Sequence, residues 1–221
     1  MPAVPPEQAP GILPRLIATL VERRKQVKGL MKDKTATPEQ LATWDIKQLA
    51  LKLTANSMYG CLGYTKSRFY ARPLAVLTTY KGREILRSTK DLAESMALQV
   101  IYGDTDSVMV KFGTSELAEA MRLGEEAAEY VSSKFIKPIK LEFEKVYFPY
   151  LLINKKRYAG LYWTNPDKWD KMDTKGIETV RRDNCRLVQT VIETSLRMLL
   201  IDQDPDGAQE YVSKLTIICT D

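Results

Sequence analysis

The sequence predicts an α+β protein, on three observations. Apolar residues recur at three- and four-residue spacing through the first hundred residues. A tight Gly-Asp-Thr-Asp turn sits between two short apolar runs near residue 100. Runs rich in β-branched and aromatic residues follow between 139 and 163. Helices first, then mixed helix and antiparallel strand, is the order of an α+β fold.

Taken in order, residues 1–11 are Pro-rich and read as an irregular N-terminus. From about Ile12 to Lys32 the pattern is helical, with Leu13, Leu16, Ile17, Leu20, Val27 and Met31 along one side. A break at 33–36 precedes Thr37-Pro38-Glu39-Gln40, which starts a helix with Thr as cap, Pro at the first position and Gln reaching back. That helix is expected to reach about Met58 and stop at Gly60. Two long helices joined by a short polar turn read as an antiparallel αα-hairpin. A third helix is expected over Leu74–Leu98. Gln99-Val-Ile-Tyr102 and Ser107-Val-Met-Val110 then form a β-hairpin with residues 103–106 at its tip. Ser115–Phe135, rich in alanine and glutamate, reads as a helix. Strands are expected at 139–144, 147–153 and 158–163, a helix at 179–200, and weak helix at 208–218.

The composition excludes several chemistries. There is no histidine, which removes a histidine general base, a Ser/His/Asp triad and a His-containing zinc site. Three cysteines far apart, with no Cys-x-x-Cys, argue against a disulfide framework or structural zinc and fit a reducing compartment. The N-terminal residues lack the charged and apolar regions of a secretory signal, and no apolar run has the length of a membrane span. The net charge of +5 permits a polyanionic partner without demanding one.

Chemistry concentrates in a few places. Asp104 and Asp106, one residue apart at a tight turn, are like charges held close, which is unfavourable unless one protonates or a cation neutralises both. Mg²⁺ does this readily, because it takes carboxylate oxygens and fills its other positions with water and phosphate. Asp and Ser also suit turns by bonding their own backbone, so turn chemistry alone is the competing reading. Between Leu13 and Lys34 seven basic residues face two acidic ones, an excess equal to that of the whole chain. A charged helix face is usually just solvated. Arg24, however, falls in line with Leu20, Val27 and Met31, and Lys28 lies one turn on, so the pair suits an anion such as a polyphosphate. Lys52, Asn56 and Tyr59 share a face of the second helix; a polar surface with a core tyrosine explains them equally well.

These pieces resemble a known family. Lys52-Leu-Thr-Ala-Asn56-Ser57-Met-Tyr59-Gly60, Tyr102-Gly-Asp-Thr-Asp-Ser107 and Asn154-Lys155-Lys156-Arg157-Tyr158 are similar, in the family's own order, to three motifs of family B DNA polymerases. The likeness runs from about Ile12 to Gly207. Within it, residues 12–98, including Leu53–Tyr64 and Ser67–Pro73, look like the alpha branch. Residues 104–207, including Leu141–Lys145, Tyr147–Ile153 and Val180–Cys185, look like the delta branch. After about Gln209 the likeness is expected to end, with 215–221 as an alternative tail.

The resemblance implies the following expectations. Residues 12–66 are the fingers hairpin, 67–175 the palm and 176–221 the start of a truncated helical thumb. The activity is template-directed transfer of a deoxynucleotide to a primer 3′-hydroxyl with two Mg²⁺ ions. Asp104, Asp106 and Lys52 are the catalytic residues, Asp106 the stronger metal ligand and Asp104 closer to structural, with Glu142 a weaker carboxylate candidate. Arg24, Lys28 and Lys52 grip the incoming triphosphate, Asn56 helps to place it, and Tyr59 packs against the nascent base pair. Lys155, Lys156, Arg157 and Tyr158 contact the primer–template duplex, with Lys156 and Tyr158 on one strand face and Lys155 and Arg157 on the other. Implied partners are primer–template DNA, deoxynucleoside triphosphates, the remainder of a polymerase catalytic subunit and replication accessory subunits, in the nucleus and without a membrane. The family's other metal-binding motif, Asp-x-x-Ser-Leu-Tyr-Pro-Ser, is absent from these residues, so they are expected to be inactive alone. A non-catalytic nucleotide- or DNA-binding module is the alternative, and a structural piece whose aspartates only make a turn is a third.

Overall fold

The structure, a computed structural model, describes residues 11–33 and 35–218. Residues 1–10 of the irregular segment expected over 1–11, and the last residues of the expected tail, lie outside these. Helices and two small antiparallel sheets make the fold α+β. The chain divides into two compact units, 1–82 and 83–221, with the division falling inside a helix.

The first unit is built on helix α1 (Ile12–Leu30) packed against α2 (Pro38–Gly63). The short link between two long, packed helices makes them antiparallel neighbours. On α1 the half-buried stripe is Leu13, Ile17, Leu20, Arg24 and Met31, with Val27 buried. Leu16 falls off that stripe and is exposed. On α2 the stripe is Leu41, Trp44, Gln48, Leu51, Ala55 and Met58. The start of α2 is fixed by a capping box: the Gln40 N–H donates to Thr37 Oγ1 at 3.3 Å, and the Thr37 N–H donates to Gln40 Oε1 at 3.0 Å. The helix does not stop at Gly60. It runs one turn further, because Gly60 keeps helical geometry and its carbonyl accepts the Tyr64 N–H at 3.1 Å; the chain becomes extended at Tyr64.

Helix α3 (Arg72–Ser95) ends earlier than expected, because Ala97 turns left-handed (φ +60°) and the Leu98 N–H closes back on the Ala93 carbonyl. Strands β1 (Gln99–Asp104) and β2 (Ser107–Lys111) follow as an antiparallel hairpin, then helix α4 (Leu117–Ser133). The second sheet has the order β3 (Val146–Asn154), β4 (Arg157–Trp163), β5 (Lys171–Lys175). Helix α5 (Arg186–Arg197) continues through a π-helical turn at 198–202 and is followed by α6 (Pro205–Ile218).

Strand β4 decides what each face of the second sheet does. Ala159, Leu161 and Trp163 alternate to one side, where they pack with Ile177, Leu196 and Leu200 as the main core. Tyr158 and Tyr162 point to the other side, into a cluster with Tyr102, Tyr147 and Tyr150. Tyr147 and Tyr150 stack at 5.5 Å between centroids, and Tyr150 Oη donates to Met109 Sδ of β2 at 2.8 Å. The tyrosine face thereby joins the two sheets.

Other elements also differ from expectation. Residues 139–144 form no strand: both backbone groups of Leu141 bond the Ser132 hydroxyl of α4, and Phe143 lies where a Cβ on Gly124 would be, at 2.5 Å. Strand β5 was not expected. The helix expected from 179 starts at 186, because Ile177 is committed to the core and the chain turns through 177–184.

Candidate metal and nucleic-acid site

The hairpin tip is tighter than the sequence suggested. Asp104 pairs directly with Ser107, so the turn is two residues, Thr105 and Asp106, with Thr105 at φ +52°. The Asp106 N–H donates to the Asp104 carbonyl at 2.6 Å and the Ser107 hydroxyl to the same oxygen at 3.2 Å. The polar groups of the turn therefore satisfy one another, and Asp106 is left exposed.

The second half of the site is the β3–β4 turn. Asn154 pairs with Arg157, so Lys155 and Lys156 are turn residues and not alternating strand residues; Lys156 takes φ +62°. The expected sharing of faces therefore fails. Lys156 reaches across to the first turn instead, with Nζ 2.7 Å and 3.0 Å from the two carboxylate oxygens of Asp104. Its backbone N–H donates to the Tyr102 hydroxyl at 2.9 Å. Arg157 is half-buried and bridges to Glu178. Lys155 is exposed and, among the described residues, forms no ion pair; its N–H donates to Asn154 Oδ1 at 2.7 Å.

The electrostatics follow from this geometry. The Lys156 hydrogen bond holds the Asp104 carboxyl below the ordinary carboxylate range, against desolvation, with Thr105 adding to it. Asp104 in turn raises the Lys156 ammonium. Behind the turns, Tyr147 Oη donates to Asp173 Oδ2 at 2.6 Å. Burial, then this bond, pushes the Tyr147 hydroxyl well up. Tyr150 is pushed up to about 12, chiefly by burial.

The structure brings Asp104, Asp106, Lys155 and Lys156 onto two facing turns, with Arg157 and Tyr158 at the start of β4 beside them. It does not gather Glu142 with them. Among the described residues no three acidic or thiol side chains meet at one point, and Glu142 pairs with Lys140. In the other unit, Lys52, Asn56 and Tyr59 are exposed on one face of α2, and Lys28 is exposed on α1. Arg24 is half-buried on the apolar stripe, its Nε donating to the neutral Gln48 Oε1 at 3.2 Å. Sequence reasoning missed Tyr102, Gly176 and Glu178 as supports of the Lys156 turn. A Cβ on Gly176 would lie 2.1 Å from the Lys156 carbonyl oxygen. The only signal for it was a Gly directly after a Lys-Met-Asp-Thr-Lys run.

As a metal site, the tip offers two carboxylates of hard oxygen, one of them shared with an ammonium. That set suits a magnesium-like ion that keeps water and phosphate ligands, and it does not suit a cage made by the protein alone.

Comparison with known proteins gives the family. A family profile described as DNA polymerase family B matches residues 2–220, so the likeness does not end at Gln209 as expected. The chain is 55% identical to the DNA polymerase delta catalytic subunit of Schizosaccharomyces pombe over 96% of this chain, and 52% identical to that of Oryza sativa over 95%. It is 50% identical to the Plasmodium falciparum delta subunit over 95%. These matches take in most of residues 12–98 as well, and the alpha-branch likeness expected there finds no support among them. The chain spans about 20% of the length of these three relatives. With residues 2–220 covered by one family profile, this chain belongs to DNA polymerase family B.

Proposed function

We propose that these residues contribute to template-directed DNA synthesis, the transfer of a deoxynucleotide to a primer 3′-hydroxyl, within a larger nuclear replicative polymerase. The observation that supports this most is the pair of facing turns, one with two carboxylates and the other with two lysines and an arginine just after them. Residues 12–66 act as fingers, 67–175 as palm and 176–221 as the start of the thumb.

In this reading Asp106, exposed at the tip, is the main metal ligand, and Asp104 is shared between the ion and Lys156. Bound Mg²⁺, two ions in the complete enzyme, supplies charge stabilisation to the attacking and leaving oxygens. The remaining work is positioning, since phosphoryl-type transfer asks for little covalent help. Arg24, Lys28 and Lys52 bind the triphosphate, with Arg24 oriented by Gln48; Asn56 places it and Tyr59 stacks on the nascent pair. Lys155 and Lys156 meet the duplex through its backbone or minor groove, which positions without reading sequence. The remainder of the catalytic subunit and accessory subunits complete the assembly.

The second reading, a nucleotide- or DNA-binding module without catalysis, is favoured by the lack of a third carboxylate at the tip among the described residues. A chimera separates the two: the S. pombe subunit with its matching segment replaced by these 221 residues. Primer extension that is lost in Asp106→Asn supports the first reading. Duplex binding without extension, from a chimera that folds, supports the second. The 221 residues alone are expected to bind duplex and not to extend it.

A further inference from the structure

The Lys156–Asp104 pair joins a residue read as a DNA contact to a residue read as a metal ligand, and its surroundings limit what can move. The backbone of the β3–β4 turn is clamped: the Lys156 N–H is held by Tyr102, its carbonyl lies against Gly176, and the next residue, Arg157, is bridged to Glu178. The Lys156 side chain is not clamped. It is 69% exposed, and its one side-chain partner among the described residues is the Asp104 carboxylate. Lysine is a compact charge on a flexible stem, so a rotamer change alone carries it off the carboxylate.

We propose that Asp104 restrains Lys156, and that a nucleic-acid phosphate competes with the carboxylate for the ammonium. Engagement of the duplex by Lys156 then strips Asp104 of its resident cation at the moment the duplex arrives, leaving the carboxylate free for a divalent ion at the tip. By linkage the effect is reciprocal: whatever neutralises or occupies Asp104 strengthens the hold of Lys156 on the duplex. Lys155, one residue away with no carboxylate partner among the described residues, takes no part. The inference rests on reading the 155–156 turn as a duplex contact.

The test is a double-mutant cycle on the 221-residue chain, with a labelled primer–template duplex, fluorescence anisotropy and EDTA to exclude metal. The chain carries Asp104→Asn, Lys156→Gln, or both. Asp104→Asn is expected to tighten duplex binding about two- to fivefold, the scale of an exposed ion pair. In the Lys156→Gln background its effect falls to that of Asp106→Asn, the bulk charge effect alone. Lys156→Arg, which keeps the charge, restores the effect. Asp106→Asn, at a carboxylate that Lys156 does not touch, acts equally in both backgrounds. If Asp104→Asn also tightens binding equally in both backgrounds, bulk repulsion accounts for it and the restraint is overturned. A wild-type chain that binds no duplex overturns the duplex reading itself, and the restraint with it.

Discussion

Gly176 has φ +62° and no room for a side chain, since a Cβ would overlap the Lys156 carbonyl at 2.1 Å. Gly176→Ala combines a left-handed backbone penalty with an overlap against backbone that cannot swing away. A loss of about 2–4 kcal/mol in urea unfolding is expected. The tyrosine cluster gives a second prediction at this scale. Tyr147 and Tyr150 are raised above the ordinary tyrosine value, so the folded state disfavours their ionised forms. Their contribution to stability is full below about pH 10, the unfolded value, and falls as pH rises through the folded values. Unfolding followed against pH is expected to show a plateau and then a decline above about pH 10. Tyrosinate absorbance should show ionisation above the ordinary tyrosine range that Tyr150→Phe reduces, and the same substitution should shrink the decline. At this scale the sequence was legible where the chemistry is local. Asp104 and Asp106 stand in one turn and share its chemistry, whereas the partner of Asp104 lies 52 residues away and only the fold brings it there.

Among the elements, α2 starts where its sequence says, because a cap is satisfied by residues three apart. Thr37→Ala removes the acceptor for the Gln40 N–H and breaks the capping box. A loss of about 1 kcal/mol is expected in thermal or urea unfolding of the first unit, with Thr37→Ser close to wild type. Strand β5 escaped notice for the opposite reason. Its buried residue is Asp173, on the tyrosine face, and no alternation of apolar residues marks the strand. A carboxylate is tolerated there because Tyr147 donates to it and Lys175 pairs with it. The false strand at 139–144 had the right residues. Its backbone was claimed by the Ser132 side chain and its Phe143 by the space over Gly124, both on α4, a helix the sequence predicts without showing what packs on it.

Over the whole molecule, the excess of +5 leaves duplex binding dependent on which cations are free, and the structure sorts the Lys-Lys-Arg run sharply. Arg157 is tied to Glu178 beside the turn, and Lys156 is tied to Asp104. Lys155 alone of the three has no ion pair among the described residues. A phosphate contact releases counterions in proportion to the charge it neutralises, so a residue that already has a carboxylate partner contributes less than a free one. In a salt titration of duplex affinity, Lys155→Ala is expected to flatten the log–log slope by about one unit, alike for duplexes of different sequence. Lys156→Ala is expected to flatten it by less, because breaking the Asp104 pair offsets part of the phosphate contact. Arg157→Ala is expected to act mainly on stability, leaving Glu178 without its cation, with little change in slope. If Arg157→Ala flattened the slope as much as Lys155→Ala, the bridge to Glu178 would be one that DNA readily displaces. If none of the three changed it, the β3–β4 turn would face solvent, and the duplex contact would have to be sought elsewhere in the chain.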